Sequence, residues 1–203
     1  KGFEEETLGV AAFMMSKNLN SIYEKDKFLL PDAHMIQDKR WKDLIPQIER
    51  ANIDNPWDQK INKLFWRGGS TGSSSKYSYS IENFDKLARL KLVMLSKLYP
   101  DSIDAEITFY GGEFSKNNDG KDLKTVLNLL FGDKRERVQE VDHLKYKYIA
   151  ALDGNTSPWV RVPWIMLSNS VLVKQVTGRV EWFYSALRPY THYIPINKDL
   201  TDI

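Results

Sequence analysis

Five short strand-like runs separated by helix-like stretches constrain this chain more than any motif in it. The runs are Leu64-Phe65-Trp66 leading to Gly68-Gly69, Ile103 to Phe109, Tyr148 to Leu152, Val171 to Gln175, and Tyr193 to Ile196. Between them, apolar residues recur at helical spacing: Phe84, Leu87, Leu90, Met94 and Leu98, then Leu123, Val126, Leu127 and Leu130. A short helix is predicted to open near Pro163, where proline suits the first helical position, and another from about Val180 to Leu187. Such alternation predicts an α/β domain, a Rossmann-like parallel sheet with helices on both faces. Ligands of such sheets sit at the carboxyl ends of strands.

The first quarter of the chain reads differently. Gly9 to Met15 predicts a buried strand, Phe28-Leu29-Leu30 a second, and Trp41, Leu44, Ile45 and Ile48 one face of a helix in which Pro46 must occupy the first turn or kink it. Asn55-Pro56-Trp57 breaks that helix, so residues 1–55 read as the end of one unit plus a connector and 56–203 as a second. Lys1 to Thr7 shows no start methionine and Asp199 to Ile203 reads as the first turn of a cut helix, so a fragment incomplete at both ends is expected.

Composition excludes several classes. The formal charge of +2 is spread rather than clustered, which disfavours nucleic acid as a partner. No run reaches transmembrane length, and the absence of cysteine removes disulfides and thiolate sites, in keeping with a reducing cytoplasm.

The chemistry-bearing residues gather at predicted strand ends. Arg67-Gly68-Gly69-Ser70-Thr71-Gly72 has the makings of a phosphate cradle: glycines admit backbone amides to an anion, hydroxyls add donors, and Arg67 supplies a planar fork. It also reads as an ordinary flexible turn. Arg161, at a predicted helix N-terminus, is the second candidate, so two guanidinium groups would hold a diphosphate without a metal; the alternative is that both are surface or ion-paired arginines. Glu181 opens a predicted helix and either accepts ribose hydroxyls or complements the helix dipole. Asp104 and Glu106 share one strand face, the nearest approach to an acidic metal pair, and His34, His143 and His192 show no ligand spacing, so no metal site is expected.

An ordered series of segments then points to one family. Phe65-Trp66-Arg67-Gly68, Ile103-Asp104-Ala105, Lys145 to Tyr148, Leu152-Asp153-Gly154, Arg161-Val162-Pro163-Trp164, Ser170 to Gln175, Glu181 to Tyr184 and Leu187 to Ile196 together resemble glycosyltransferase family 90. That family includes Rumi-like and KDEL-containing protein O-glucosyltransferases, capsule xylosyltransferases and bacterial lipopolysaccharide-modifying enzymes. The likeness runs from Val10 onward and is strongest from Lys145 to Ile196.

The resemblance implies a GT-B architecture of two Rossmann-like halves, inverting transfer from a UDP-sugar, and no cofactor or required metal. It places Arg67 and Arg161 at the donor diphosphate and the segments around Asp153-Gly154, Ser168-Asn169-Ser170 and Glu181 at the nucleotide wall. The family's catalytic base, an aspartate after proline, is expected before Lys1; Pro31-Asp32 has the local look but matches a later segment, leaving Asp32 as a stand-in. The acceptor is expected to be a glycan or lipid-linked saccharide such as lipopolysaccharide. The expected location is the cytoplasm, with peripheral contact at the inner membrane face left open. A non-catalytic nucleotide-sugar-binding or glycan-binding module that lost its base is the second reading. A Rossmann dehydrogenase ranks lower for want of Gly-x-Gly-x-x-Gly.

Overall fold

The computed structural model describes residues 12–24, 26–36, 39–72, 79–111, 118–131 and 137–203. Val10, Ala11, Gly132 and all but Tyr79 of the polar insert expected over 73–79 lie outside these.

The N-terminal stretch contributes little sheet. Strands β1 (Ala12–Met14) and β3 (Lys27–Leu29) pair in parallel, and β2 (Ser16–Asn18) lies between them in sequence. Phe13 and Phe28 face each other across the pair at 6.1 Å between centroids, with Phe13 71% exposed, so the buried strand expected here carries its aromatic residue outward. After α1 (Ala33–Ile36), helix α2 (Lys39–Asp54) buries Leu44, Ile48 and Ala51. Pro46 lies inside α2, beyond the first turn. It sits on the exposed face, where water can serve the carbonyl that its missing N–H leaves unpaired.

The five expected strands form one parallel sheet. In chain order come β4 (Ile61–Gly69), α3 (Ala88–Leu98), β5 (Ile103–Phe109), α4 (Asn118–Phe131), α5 (Glu140–His143), β6 (Tyr146–Ala151), α6 (Arg161–Met166), β7 (Val171–Gln175), β8 (Arg179–Glu181) and β9 (Ile194–Ile196). The sheet order is β5-β4-β6-β7-β9, parallel throughout. The chain leaves β4 toward one edge and returns to the other side of it as β6. That reversal opens a crevice beyond the carboxyl ends of β4 and β6.

Alternation along the strands feeds two cores. Trp66, Ala105, Ile107, Ala150, Leu152 and Val173 meet Leu90, Leu92 and Val93 of α3 and Leu123 and Leu127 of α4 on one face. Ile149, Ala151 and Leu172 meet α2 and α6 on the other, through Leu44, Ile48, Val162, Trp164 and Ile165. Because β4, β6 and β7 are covered on both faces, they read as continuous apolar runs.

Three local expectations are corrected. Residues 81–86 form a 3-10 turn, and α3 starts only at Ala88. Ser80 precedes that turn without a side-chain capping bond, and Leu98 ends α3 67% exposed. Helix α4 begins at Asn118, ahead of the apolar spacing that starts at Leu123. The helix expected from Val180 is instead β8, paired antiparallel with β2 (Ser16↔Glu181, Asn18↔Arg179), followed by a 3-10 turn over Tyr184–Ala186. A partner strand from the N-terminal stretch overrides the local helical spacing there.

Candidate functional site

Two clefts open at the carboxyl side of the sheet. One, of about 350 Å³, is lined by Ser70, Thr71, Gly72, Asp153, Gly154 and Thr177, with Asn18 and Asn20 reaching in from the N-terminal stretch. The other, of about 560 Å³, is lined by Arg67, Gly68, Gly69, Arg161, His143 and Trp159 among others. Arg89 lies in the wall of both. The structure therefore divides the expected site residues: loop hydroxyls and Asp153-Gly154 face one cleft, the two arginines the other.

The glycine stretch is not the open cradle expected. Gly68 and Gly69 belong to β4, which pairs with β5 as far as Gly69↔Phe109 through an irregularity at this point. A Cβ on Gly68 would lie 2.6 Å from the Trp66 ring and one on Gly69 2.2 Å from the Phe109 ring, so both glycines make room for aromatic packing. The loop proper is Ser70 to Gly72, and two of its amides are committed: Ser70 N donates to the Phe109 carbonyl (3.0 Å) and Gly72 N to Asn155 Oδ1 (3.1 Å). Ser70 Oγ accepts the Gly111 amide (2.9 Å). Gly72 adopts φ of 120°, the left-handed turn that needs glycine.

Arg67 is an ion-pair partner. It meets Asp104 Oδ1 at 2.7 Å and Glu106 Oε2 at 3.5 Å, donates to the Asp104 carbonyl (3.1 Å), and lies 4.5 Å over the Phe65 ring. The acidic pair on β5, read from sequence as gathering nothing around it, thus gathers Arg67. Tyr146 also donates to Asp104 Oδ2 (2.8 Å).

Arg161 is held differently. Its Nη2 donates to the Arg67 carbonyl (2.8 Å), while Nη1 is buried and has no partner. Its backbone amide donates to the Pro158 carbonyl (3.2 Å), so the helix start contributes no free amide at this residue. Trp159 precedes it with φ of 53°, a conformation costly for a bulky residue, in the turn that delivers Arg161 to the cleft. Burial brings the Arg161 guanidinium down to about 10, and the neighbouring Arg89 adds repulsion. Burial likewise lowers Arg89 to about 10. Among the described residues no carboxylate forms an ion pair with either. Two buried cations without an ion-pair partner favour an anion between them.

His143 borders the same cleft. Its ring stands edge-on to Phe65 (4.8 Å) and Trp164 (5.4 Å), and burial, with Arg161 and Arg67 adding to it, drives its pKa to about 3. It is a neutral imidazole whose buried Nδ1 lacks a partner.

The remaining expected residues are placed elsewhere. Ser168-Asn169-Ser170 precede β7 and so lie at its amino end, opposite the clefts. There Asn169 Nδ2 donates to the Asn52 and Asn55 carbonyls, which ties the end of α2 to the sheet, and Ser170 Oγ accepts from Lys60 Nζ (3.0 Å). Asp32 is fully buried and lines neither cleft. Glu181 is 2% exposed, also lines neither, and accepts the Tyr184 hydroxyl at Oε1 (3.1 Å) while Oε2 has no partner. Among the described residues no cluster of three or more His, Asp or Glu side chains is placed to hold a metal.

Burial, with the Asp32 carboxylate adding to it, pushes Glu181 up to about 7 from an ordinary 4.5, against the nearby Ser157 hydroxyl, the Tyr184 hydroxyl and Lys174. A carboxyl whose folded pKa is raised stabilises the fold fully below its unfolded value and loses that contribution as pH rises through the folded one. Stability is expected to fall between about pH 4.5 and 7 by about 3 kcal/mol for this group alone. Urea midpoints at pH 5 and pH 8 check it: Glu181→Gln should shrink the difference, and an unchanged difference would refute the assignment.

Sequence reasoning missed Arg89 and His143. For Arg89 a signal existed: the first turn of α3 holds no acidic residue and an arginine instead, against the preference set by the helix dipole. His143 had none, because its neighbours Phe65 and Trp164 are distant in sequence.

Comparison with known proteins gives a consistent picture. A family model described as glycosyl transferase family 90 matches residues 29–203. Protein O-glucosyltransferase 3 of Rattus norvegicus is 32% identical over 154 residues, covering 76% of this chain and 25% of that protein. Protein O-glucosyltransferase 2 of Danio rerio is 31% identical over 147 residues, covering 72% of this chain and 24% of that protein. Uncharacterized protein 179R of Invertebrate iridescent virus 6 is 31% identical over 167 residues, or 76% of this chain. The chain thus spans about a quarter of the length of the two animal relatives.

Proposed function

Since the chain belongs to glycosyl transferase family 90, we propose that it carries the donor site of an inverting enzyme that moves a sugar from a UDP-sugar to an acceptor hydroxyl. The observation that carries this reading is Arg161, a buried guanidinium with an unpartnered Nη1, facing a cleft beside the equally buried Arg89. In this reading residues 56–203 form the donor half of a GT-B enzyme and residues 1–55 end the acceptor half, the two joined by the β2–β8 ladder.

The reaction follows from the charges. A carboxylate takes the proton of the acceptor hydroxyl, whose oxygen attacks the anomeric carbon from the face opposite the leaving group. The bond from that carbon to the β-phosphate oxygen breaks, and the electron pair leaves with UDP. Arg161 offers its open donor to the diphosphate as that charge develops, in a site where burial strengthens the interaction. Arg67, held by Asp104 and Glu106, borders the same cleft and adds no free fork of its own. The two buried cations supply the charge that a divalent ion provides in other transferases, so the proposed reaction requires no metal. The acceptor is a hydroxyl of a cell-surface glycan such as lipopolysaccharide, made in the cytoplasm, or of a protein, as the names of the animal relatives state for those proteins.

Calorimetric titration of the full-length protein with UDP in excess EDTA, with NAD as comparison, tests the proposal. Micromolar UDP binding that survives chelation is the expected result. Absence of UDP binding, or binding that chelation abolishes, would overturn it. Product analysis with lipopolysaccharide and protein acceptors separates the two acceptor classes.

A further inference from the structure

Arg89 lends its charge to the reaction as written, and it also makes the most concentrated set of polar contacts at the crevice. Its Nε donates to the Asp153 carbonyl (2.9 Å), Nη1 to the Gly69 carbonyl (2.9 Å) and to Thr71 Oγ1 (2.7 Å), and Nη2 to the Leu152 carbonyl (3.0 Å). Those acceptors belong to the carboxyl end of β4 and to the residues that follow β4 and β6, the two strands between which the chain reverses direction. Carboxyl ends of neighbouring parallel strands present carbonyl oxygens side by side. Where the next element turns away, as here, those oxygens are left converging.

Converging carbonyls repel a phosphate. A guanidinium set among them satisfies each one and leaves a net positive charge at the same place. The surrounding structure makes room for it: a Cβ on Gly154 would lie 2.7 Å from Arg89 Nη2 and 2.6 Å from Thr71 Oγ1. Behind the guanidinium the Trp66 ring lies 5.6 Å away, a buried wall that fixes its plane. Because Arg89 borders both clefts, its position sets the distance between the loop that carries Thr71 and the turn that carries Asp153.

We propose that Arg89 is a positioning residue for the donor diphosphate: it ties the loops after β4 and β6 together and turns a carbonyl-lined strand end into a surface that an anion can approach. This rests on the donor-site reading above, with Arg161 as the residue that touches the diphosphate.

The test compares full-length wild type with Arg89→Lys, Arg89→Gln, Arg89→Gly and Arg161→Gln by calorimetry with UDP and, separately, inorganic pyrophosphate, folding being checked by near-ultraviolet circular dichroism. A lysine keeps the charge but cannot satisfy all the converging carbonyls at once, so folded Arg89→Lys is expected to lose about tenfold to a hundredfold in affinity for both probes. Added guanidinium at millimolar concentration should restore part of the binding of Arg89→Gly, and matched potassium chloride should not; a role in stability alone predicts no such rescue. Wild-type affinity in folded Arg89→Lys and Arg89→Gln, with Arg161→Gln impaired, overturns the inference and leaves the donor-site reading standing. If wild type binds neither probe, the donor-site reading fails and this inference with it. Should the Arg89 variants not fold, Gly154→Ala displaces the guanidinium by its Cβ, and unchanged affinity there overturns the inference equally.

Discussion

Replacing Arg161 with glutamine is expected to lower kcat/KM of the full-length enzyme by about 100-fold to 1000-fold, the usual cost of removing one preorganised donor from a developing oxyanion. The same substitution is expected to leave the fold as stable as wild type or more so. Arg161 is a buried cation whose Nη1 meets nothing and whose neighbour Arg89 repels it. Removing it relieves a desolvation cost that only a bound anion offsets. Loss of function without loss of stability is the signature of a residue held for ligand rather than for packing. Steady-state kinetics with a UDP-sugar and urea unfolding on the same preparations check both halves. A variant that unfolds more easily yet turns over normally would remove Arg161 from the site.

The second large effect is structural. Gly68→Ala is expected to destabilise the protein by about 1 to 3 kcal/mol, the cost of forcing extra volume into a well-packed interior. The added Cβ would lie 2.6 Å from Trp66 Cζ2, and that indole is 1% exposed in the core between β4 and α3. It cannot swing aside without opening the packing that positions Arg67 and Gly69. Gly69→Ala makes a shorter contact on paper, 2.2 Å to Phe109, but that ring is 58% exposed and can turn toward solvent. Gly111→Ala meets nothing nearer than 3.6 Å and serves as the neutral control. Urea midpoints should therefore fall most for Gly68→Ala and not at all for Gly111→Ala; equal midpoints for these two would contradict the packing described.

Strand placement was legible for a physical reason. Each of the five sheet strands is a run of apolar or alternating residues bounded by turn formers, and burial on both faces writes itself into composition locally. Phe65-Trp66, Tyr148 to Leu152 and Val171 to Gln175 needed no knowledge of their neighbours. The region after Gly178 was not legible, because its pairing partner Ser16–Asn18 lies near the other end of the chain and local spacing favoured a helix. For the site, sequence order found Arg67, Arg161 and Asp153-Gly154 near the crevice but not how each is used. Charge type is visible in a sequence, whereas the carboxylate that consumes the charge of Arg67 depends on the β4–β5 register that sets Arg67 opposite Glu106. Family resemblance assigns Ser168 to Ser170 to the nucleotide wall; they precede β7, and the parallel pairing of β7 with β6 puts that amino end opposite the clefts.

By itself the sequence determined the class of fold, the number and location of the sheet strands, and the family to which the chain belongs, since all three reside in the order and local pattern of residues. The tertiary structure alone decided which buried cation is unpaired. Arg67, Arg89 and Arg161 are chemically identical in the sequence. The β4–β5 register joins Arg67 to Asp104 and Glu106, the reversal between β4 and β6 surrounds Arg89 with carbonyls, and the turn at Trp159 delivers Arg161 to the cleft with one nitrogen unmatched. Whether a charge is satisfied depends on what lies within hydrogen-bond reach of it, and in this fold those neighbours come from strands distant in the chain.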